Sequence, residues 1–152
     1  MSGKYLVFML GKEACALSVS NVREIIGAVP ITRVPGLPET VRGVINLRGR
    51  IIPVADLRIR FNIDAVDNGH RTCIIIVHAR GTDFGLIVDS VVEVAHITEQ
   101  QIQPPPEFAV SVQPDYLLGI AQNGPRILLL LDVERTLSLQ ESGALDAAVA
   151  AA

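Results

Sequence analysis

The chain has 152 residues, of which 49% are hydrophobic and 19% are charged, and its formal net charge is -3. This length suits one domain, or two very small ones that share a core, and the composition is too apolar for a disordered chain. The negative charge excludes a global basic field of the kind that holds nucleic acid. There is neither an apolar run of roughly 20 residues, as a membrane span needs, nor a signal-peptide core, so we expect a cytoplasmic protein without membrane insertion.

The first segments alternate apolar strands with turn residues. Strands are predicted at residues 5–10 and 13–17, joined by a type II′ turn at residues 11–12, because glycine comes first in that loop. Asn21 and Glu24 then stand three residues apart, which is the spacing of a capping box and predicts a short helical turn. An extended segment at residues 24–29 is the alternative, and we expect a change from helix to strand there.

A second hairpin is predicted in the middle of the chain. Residues 41–47 and 50–55 have the composition of strands, and residues 48–49 form the turn between them. Pro53 has no backbone donor, which predicts that its strand lies at a sheet edge or contains a bulge. Residues 56–61 are predicted to form one helical turn.

The second half of the chain again alternates apolar strands with turn residues. Further strands are predicted at residues 71–78, 82–94, 117–121 and 126–131. Gly85 predicts a bulge or bend inside the long strand, and Asn123–Gly124 is a hairpin signal. Residues 98–101 are predicted to form one helical turn, and Asp132 is expected to be the N-cap of a final helix that reaches Leu139. The alanine-rich residues 143–152 are expected to fray.

These elements predict the fold class. About ten short strands with turns between them indicate an all-β barrel or sandwich with short helices, and two small barrels would use about five strands each. Aromatic residues make up 4% of the chain, so the core must consist of Val, Ile and Leu. Cys15 and Cys73 lie among apolar residues and are expected to be buried thiols.

Catalytic and metal-binding motifs are absent from the sequence. The histidines are not spaced as metal-ligand pairs, and there is no nucleophile elbow, Walker loop or dinucleotide fingerprint. Asp89 and Glu93 share one face of the predicted long strand, where a solvated face explains them better than a catalytic pair. We therefore expect no enzymatic activity, no cofactor and no metal.

Positive charge is concentrated between Val41 and Phe61. The arginines there are Arg42, Arg48, Arg50, Arg58 and Arg60, and only Asp56 opposes them. They are predicted either to face an acidic partner or to anchor a buried carboxylate, such as Glu24 or Asp56, by bidentate hydrogen bonds. Simple outward alternation along strands is the plainer alternative. Single-stranded nucleic acid would need stacking rings, and only Phe61 is near.

Residues 43–58, with the sequence GVINLRGRIIPVADLR, resemble the signature of the CheW family of chemotaxis coupling proteins. Similar segments precede and follow this signature, so the resemblance covers about residues 4–140. They are Tyr5–Phe8, Val22–Ile25, Gly85–Val91, Pro106–Phe108 and Tyr116–Ile120. The resemblance implies two packed five-stranded SH3-like barrels in a single domain of residues 1–152. The boundary between the barrels is expected near residues 62–70, with the termini able to cross over.

The resemblance also implies a function. CheW-like proteins are non-enzymatic adaptors that bind the regulatory domain of the histidine kinase CheA and the cytoplasmic tips of chemoreceptors, and they join further CheW-like copies in rings. They are recruited to membrane-associated receptor arrays. An adaptor of a pilus or another chemosensory pathway shares the same signature and is an alternative. A single-strand nucleic-acid module is a more distant one.

The resemblance also implies which residues form the binding sites. Those that match the receptor-binding groove, which is expected between the barrels, are Val22, Glu24, Arg48, Val91 and Val94. Arg48 and Glu24 have opposite charges and are expected to pair across it. Glu107 and Phe108 match the segment that contacts the kinase in rings. Barrel core is the alternative for the three valines, and a loop residue on its own barrel is the alternative for Phe108.

Overall fold

Short strands make up most of the computed structural model, which describes residues 3–61, 63, 72–79, 81–104 and 117–136. The strands are β1 (Gly3–Leu10), β2 (Glu13–Ser18), β3 (Val22–Gly27), β4 (Val41–Leu47), β5 (Arg50–Asp56), β6 (Cys73–Ala79), β7 (Thr82–Val88), β8 (Ser90–Ile97), β9 (Ile102–Gln103), β10 (Leu117–Asn123) and β11 (Arg126–Leu131). The helices are α1 (Leu57–Arg60) and α2 (Val133–Thr136), with 3₁₀ turns at Val19–Asn21 and Glu99–Gln101.

The strands form two sheets. The six-stranded sheet has the order β8-β1-β2-β11-β10-β9, and the five-stranded sheet has the order β3-β6-β7-β5-β4. The predicted all-β class with short helices is confirmed, and two sheets pack together as expected. Backbone pairing among the described strands does not close either sheet into a complete barrel, and the two-residue β9 adds a sixth strand to one of them.

The two sheets have the same topology. Strand β3 corresponds to β8, the β4–β5 hairpin to β10–β11, and the β6–β7 hairpin to β1–β2. The one parallel pairing in each sheet also corresponds, since β5 pairs with β7 and β11 pairs with β2. Each half of the chain therefore contributes its first hairpin to the sheet of the other half, so the protein is built like two swapped subunits in one chain.

Alternation along the strands separates three apolar clusters. On β1, Leu6 and Phe8 face a central cluster to which both sheets contribute, whereas Tyr5 and Val7 face a cluster within the six-stranded sheet. The third cluster consists of isoleucines and valines of the five-stranded sheet, such as Ile76. Because successive side chains point to opposite faces, strands that are apolar throughout serve two clusters at once.

Local predictions are largely confirmed at turns and caps. Gly11 has φ 59° whereas Lys12 is not left-handed, as a type II′ turn requires. The carboxylate of Asp132 accepts hydrogen bonds from Glu134 N (3.0 Å) and Arg135 N (3.3 Å), so it caps α2 as predicted. Cys15 and Cys73 are buried free thiols, and burial raises the pKa of each.

The change from a helical turn to a strand expected near Glu24 is confirmed, since a 3₁₀ turn at Val19–Asn21 leads into β3, but Glu24 lies in β3 and does not complete a capping box. Two predictions about strands are wrong. The predicted long strand is broken at Asp89, where the chain passes from one sheet to the other. Gly85 lies in a regular part of β7, where a Cβ atom would come within 2.7 Å of Ile74 Cγ2.

Pro53 is also not at a sheet edge. Its strand β5 lies between β4 and β7 in the five-stranded sheet. The pairing of β5 with β7 begins at Val54, one residue later, so the missing N–H of Pro53 precedes the parallel ladder. Interior strands can hold proline at such a point because no ladder donor is lost there.

Candidate partner-binding site

The turn between β4 and β5 holds Arg48 in a left-handed conformation. Arg48 has φ 52° and Gly49 has φ 84°, so the two-residue loop has the positive φ values of a type I′ turn. Arg48 is the only non-glycine residue with positive φ among the described ranges. Asn46 supports the turn, because its side-chain oxygen accepts a hydrogen bond from Gly49 N at 2.9 Å. An arginine here is unusual, since Asn, Asp and Gly favour such positions.

The guanidinium of Arg48 reaches across the open side of the sheet to Glu24. Its two terminal nitrogens donate to the two carboxylate oxygens of Glu24, and Nη1 lies 3.2 Å from Oε2. Glu24 is on β3 and Arg48 follows β4, and these strands are the two edges of the five-stranded sheet. The predicted pair is therefore formed, but within one sheet and not across a groove between the two, and it joins the two edges where backbone pairing does not. The bond from Arg48 lowers the pKa of Glu24 from its ordinary value.

We expect Arg48→Asn to retain the fold. Arginine adopts the left-handed conformation at a cost of about 1 kcal/mol, whereas asparagine tolerates it. The lost ion pair is exposed, with Arg48 69% exposed, so solvent screens it and its loss should change stability little. The free energy of unfolding, measured by urea denaturation, should be unchanged or rise by up to about 1 kcal/mol. A loss of several kcal/mol would show that the pair holds the sheet together.

A second charged cluster lies at the same end of the five-stranded sheet, around Asp83. Arg50 Nη2 donates to Asp83 Oδ2 at 2.8 Å, and His78 Nδ1 lies 2.6 Å from Asp83 Oδ1. Arg23 Nε lies 3.6 Å from the same Oδ1. The bond from Arg50 is the main cause that lowers the pKa of Asp83. Sequence reasoning missed this cluster, because its members come from four strands.

Asp83→Asn should change the pH dependence of stability. Because the pKa of Asp83 is lower in the folded protein than its ordinary value of 3.8, the unfolded chain binds more protons in acid. The stabilisation by Asp83 is therefore complete above about pH 5 and is lost as the pH falls through the lowered pKa. The free energy of unfolding of the wild type should exceed that of the variant at about pH 5, and the difference should shrink towards about pH 2. A difference that stays constant over this range would contradict the prediction.

Exposed apolar side chains also occur on β3 and β5, on the opposite face of the sheet from Glu24. Ile25 is 44% exposed and Ile51 is 41% exposed, so this end of the sheet combines charge with apolar surface. Val22 is half-buried and packs against the central cluster. The two isoleucines were not identified from the sequence, although alternation along β3 and β5 is the signal that would have placed them outward.

The six-stranded sheet also has an exposed ion pair. Arg126 Nη2 donates to Glu93 Oε2 at 2.7 Å, and these residues occupy the positions in β11 and β8 that Arg50 and Glu24 occupy in the other sheet. Both glutamates follow a register shift in their strand pairing. Glu93 is exposed as predicted, but the prediction that Asp89 shares this solvated face is wrong, because Asp89 is only 2% exposed.

The structure brings only part of the predicted receptor site together. Glu24 and Arg48 are in contact, and Val22 lies two residues before Glu24 on the same strand. Val91 and Val94 are on β8 in the other sheet. Val91 packs against the central cluster, while Val94 is 55% exposed. Their convergence with Glu24 and Arg48 stays a prediction. Glu107 and Phe108 lie outside the described residues.

The arginines between Val41 and Phe61 do not act as one patch. Arg58 binds the buried Asp56 through Nε (3.1 Å) and Nη2 (3.0 Å), and Arg42 Nη1 lies 3.5 Å from the same carboxylate. These two thus confirm the alternative of a buried, anchored carboxylate. Arg48 and Arg50 are more than 60% exposed and carry the outward charge.

Groups of three or more side chains that could bind a metal are absent from the described residues. Helices long and apolar enough to cross a membrane are likewise absent from that part of the chain. The fold and the site together define a two-sheet β protein in which exposed ion pairs link strands that are not neighbours in their sheet.

A family model described as "CheW-like domain" matches residues 4–141, so the chain belongs to the CheW-like domain family. "Chemotaxis protein CheW" of Klebsiella aerogenes is 38% identical over 143 residues, which cover 94% of this chain and 86% of that protein. The protein of the same name in Bacillus subtilis is 37% identical over 142 residues, or 91% of this chain and 89% of that one. The crystal structure of the scaffolding protein TtCheW from Thermoanaerobacter tengcongensis matches with a TM-score of 0.85 at 37% identity, over 93% of this chain and 91% of that one.

Proposed function

We propose that this chain is a chemotaxis adaptor that binds the regulatory domain of the histidine kinase CheA and the cytoplasmic tips of chemoreceptors. The match to CheW relatives and to a CheW scaffolding protein over nearly the whole chain carries this proposal. The family consists of chemotaxis coupling proteins that are generally non-catalytic, and we extend the absence of catalysis to this chain. Recruitment to receptor arrays at the membrane follows from the same proposal.

We assign receptor binding to Glu24 and Arg48, with Val22 beside them and with Val91 and Val94 on the other sheet. The backbone of Arg48 supports this assignment. Asparagine or glycine suits a turn residue with φ 52° better than arginine does. The stability of the turn therefore does not explain why arginine occupies this position. Strained residues concentrate at functional sites, and this one presents an exposed guanidinium on a sheet that also exposes Ile25 and Ile51. Such a surface suits an amphipathic helical hairpin with acidic side chains.

Kinase and ring contacts are assigned to Glu107 and Phe108. This assignment rests on their match to the family segment, since neither residue is among those described. A phenylalanine next to prolines is a suitable interface anchor because it is a large apolar group on a stiff loop. Other copies of the chain are proposed as further ring partners.

Pull-down with purified partners tests the proposal. The protein is incubated with the CheA regulatory domain and with a receptor signalling tip from its own organism, at two salt concentrations. We expect binding to both, with the receptor interaction weakened in Arg48→Asn. Folded protein that captures neither partner would overturn the adaptor function. Capture of single-stranded nucleic acid with a steep loss at high salt would favour the small-barrel alternative.

A further inference from the structure

A buried ionic network connects the two sheets through Arg58. Asp56 and Asp89 are each 2% exposed. Arg58 holds Asp56 with two side-chain bonds and donates from Nη1 to Asp89 Oδ1 at 2.8 Å. The other oxygen of Asp89 accepts a hydrogen bond from Gly11 N, and Asp89 N donates to Met9 O at 3.0 Å.

Each member of the network belongs to a different part of the fold. Asp56 ends β5 in the five-stranded sheet, and Arg58 is in α1 immediately after it. Gly11 is in the β1–β2 turn of the six-stranded sheet. Asp89 is the single residue between β7 and β8, where the chain crosses from one sheet to the other. One guanidinium therefore connects a strand end of one sheet to the crossover and, through it, to a turn of the other sheet.

The hydrogen bonds of this network depend on direction, whereas the contacts of the apolar core do not. Apolar burial is non-directional, so the central cluster tolerates small rotations of one sheet against the other. A guanidinium presents its donors in a rigid planar fork, and buried carboxylates must keep their partners. Rotation of the sheets would break bonds to buried charges, which costs several kcal/mol.

The second crossover between the sheets has no such network. It runs from β2 to β3 through Ser18–Asn21, a stretch with no charged residue. Ser18 and Ser20 share a hydroxyl hydrogen bond, and Asn21 Nδ2 donates to His78 O at 3.4 Å. Because the two halves of the chain share one topology, this difference marks the Arg58 network as an addition to one crossover.

We propose that Arg58 fixes the angle between the two sheets and so positions the two halves of the candidate receptor site. Glu24 and Arg48 belong to the five-stranded sheet, whereas Val91 and Val94 belong to the six-stranded sheet. Val91 lies two residues after Asp89, so the network lies next to one half of this site. The effect on binding rests on the proposed function; the effect on the angle does not.

Residual dipolar couplings of backbone amides test the angle in Arg58→Met. In the wild type, one alignment tensor should fit both sheets. In the variant, a separate tensor should still fit the couplings of each sheet, but a single tensor should no longer fit both sheets. Arg42→Met is the matched control, because Arg42 approaches Asp56 at 3.5 Å but is 49% exposed and its contact is to Asp56 alone within this network. The control should retain one common tensor.

A common tensor in folded Arg58→Met would overturn the inference. Should that variant unfold, Asp89→Asn serves instead, since its amide oxygen still accepts from Gly11 N while the charge facing Arg58 is lost. Unfolding of both variants would also overturn it, because the network would then hold the fold and not the angle. Receptor-tip affinity is measured in parallel, and we expect at least a tenfold loss in Arg58→Met. A wild type that fails to bind the tip refutes the proposed function and leaves the tensor result standing.

Discussion

Arg48→Glu is expected to impair receptor coupling while the protein stays folded. The substitution places a carboxylate next to Glu24, where the native guanidinium donates two hydrogen bonds. Like charges at this distance repel, and the exposed end of the sheet changes from basic to acidic. We expect the affinity for a receptor tip to fall at least tenfold, or about 1.4 kcal/mol, in a binding titration.

Two variants make this result interpretable. Lys12→Glu makes the same change of charge in an exposed hairpin turn of the other sheet, and it should bind like the wild type. Arg48→Asn removes the charge without reversing it and should show an intermediate loss. Circular dichroism shows whether Arg48→Glu is folded. If this variant is unfolded, Arg48 has a structural role. Normal coupling by a folded Arg48→Glu would refute the site.

Gly43→Ala is expected to destabilise the protein strongly. A Cβ atom on Gly43 would lie 2.1 Å from Thr32 O, and Gly43 has φ 144°, which side chains rarely adopt. The carbonyl cannot move away, because Thr32 exchanges backbone hydrogen bonds with Val44 at 2.8 and 2.9 Å. The strained φ and the overpacking together should cost about 3 kcal/mol or more in urea denaturation.

Gly27→Ala is the matched control for this prediction. Gly27 is also a strand glycine of the five-stranded sheet, but a Cβ atom there would meet nothing within 4 Å. The control should keep its stability or gain up to about 1 kcal/mol, since alanine restricts the unfolded chain. Similar stabilities for the two variants would mean that Thr32 yields to the new side chain.

The sequence was most informative where structure depends on neighbours in the chain. The Gly11 turn, the Arg48–Gly49 turn and the Asp132 cap were predicted because turn and cap chemistry involves only a few consecutive residues. The pairing of Glu24 with Arg48 was expected only through family resemblance and opposite charge. Their spacing of 24 residues contains no signal that a sheet curls to bring them together.

Predictions failed where long-range pairing overrode local preference. The capping box predicted at Glu24 does not form, because Glu24 lies in a strand, as the alternative prediction had it, and that strand pairs with β6 some fifty residues further along the chain. Asp89 looked like one acidic residue on a solvated strand, and only the crossover between the sheets explains its burial beside Arg58. The Asp83 cluster draws on four strands, so no window of the sequence contains it.

The exchange of hairpins between the two halves has a consequence for how the chain acquires its structure during synthesis. Strand β2 pairs in parallel with β11, so Cys15 meets Leu129 only after most of the chain has left the ribosome. Until then, the first hairpin exposes apolar faces that its own half cannot cover. Pairings between such distant residues also slow folding, because loop-closure entropy is lost before the contacts form. Neither sheet can be completed from one half of the chain, so both should form together, late, and in a single cooperative step.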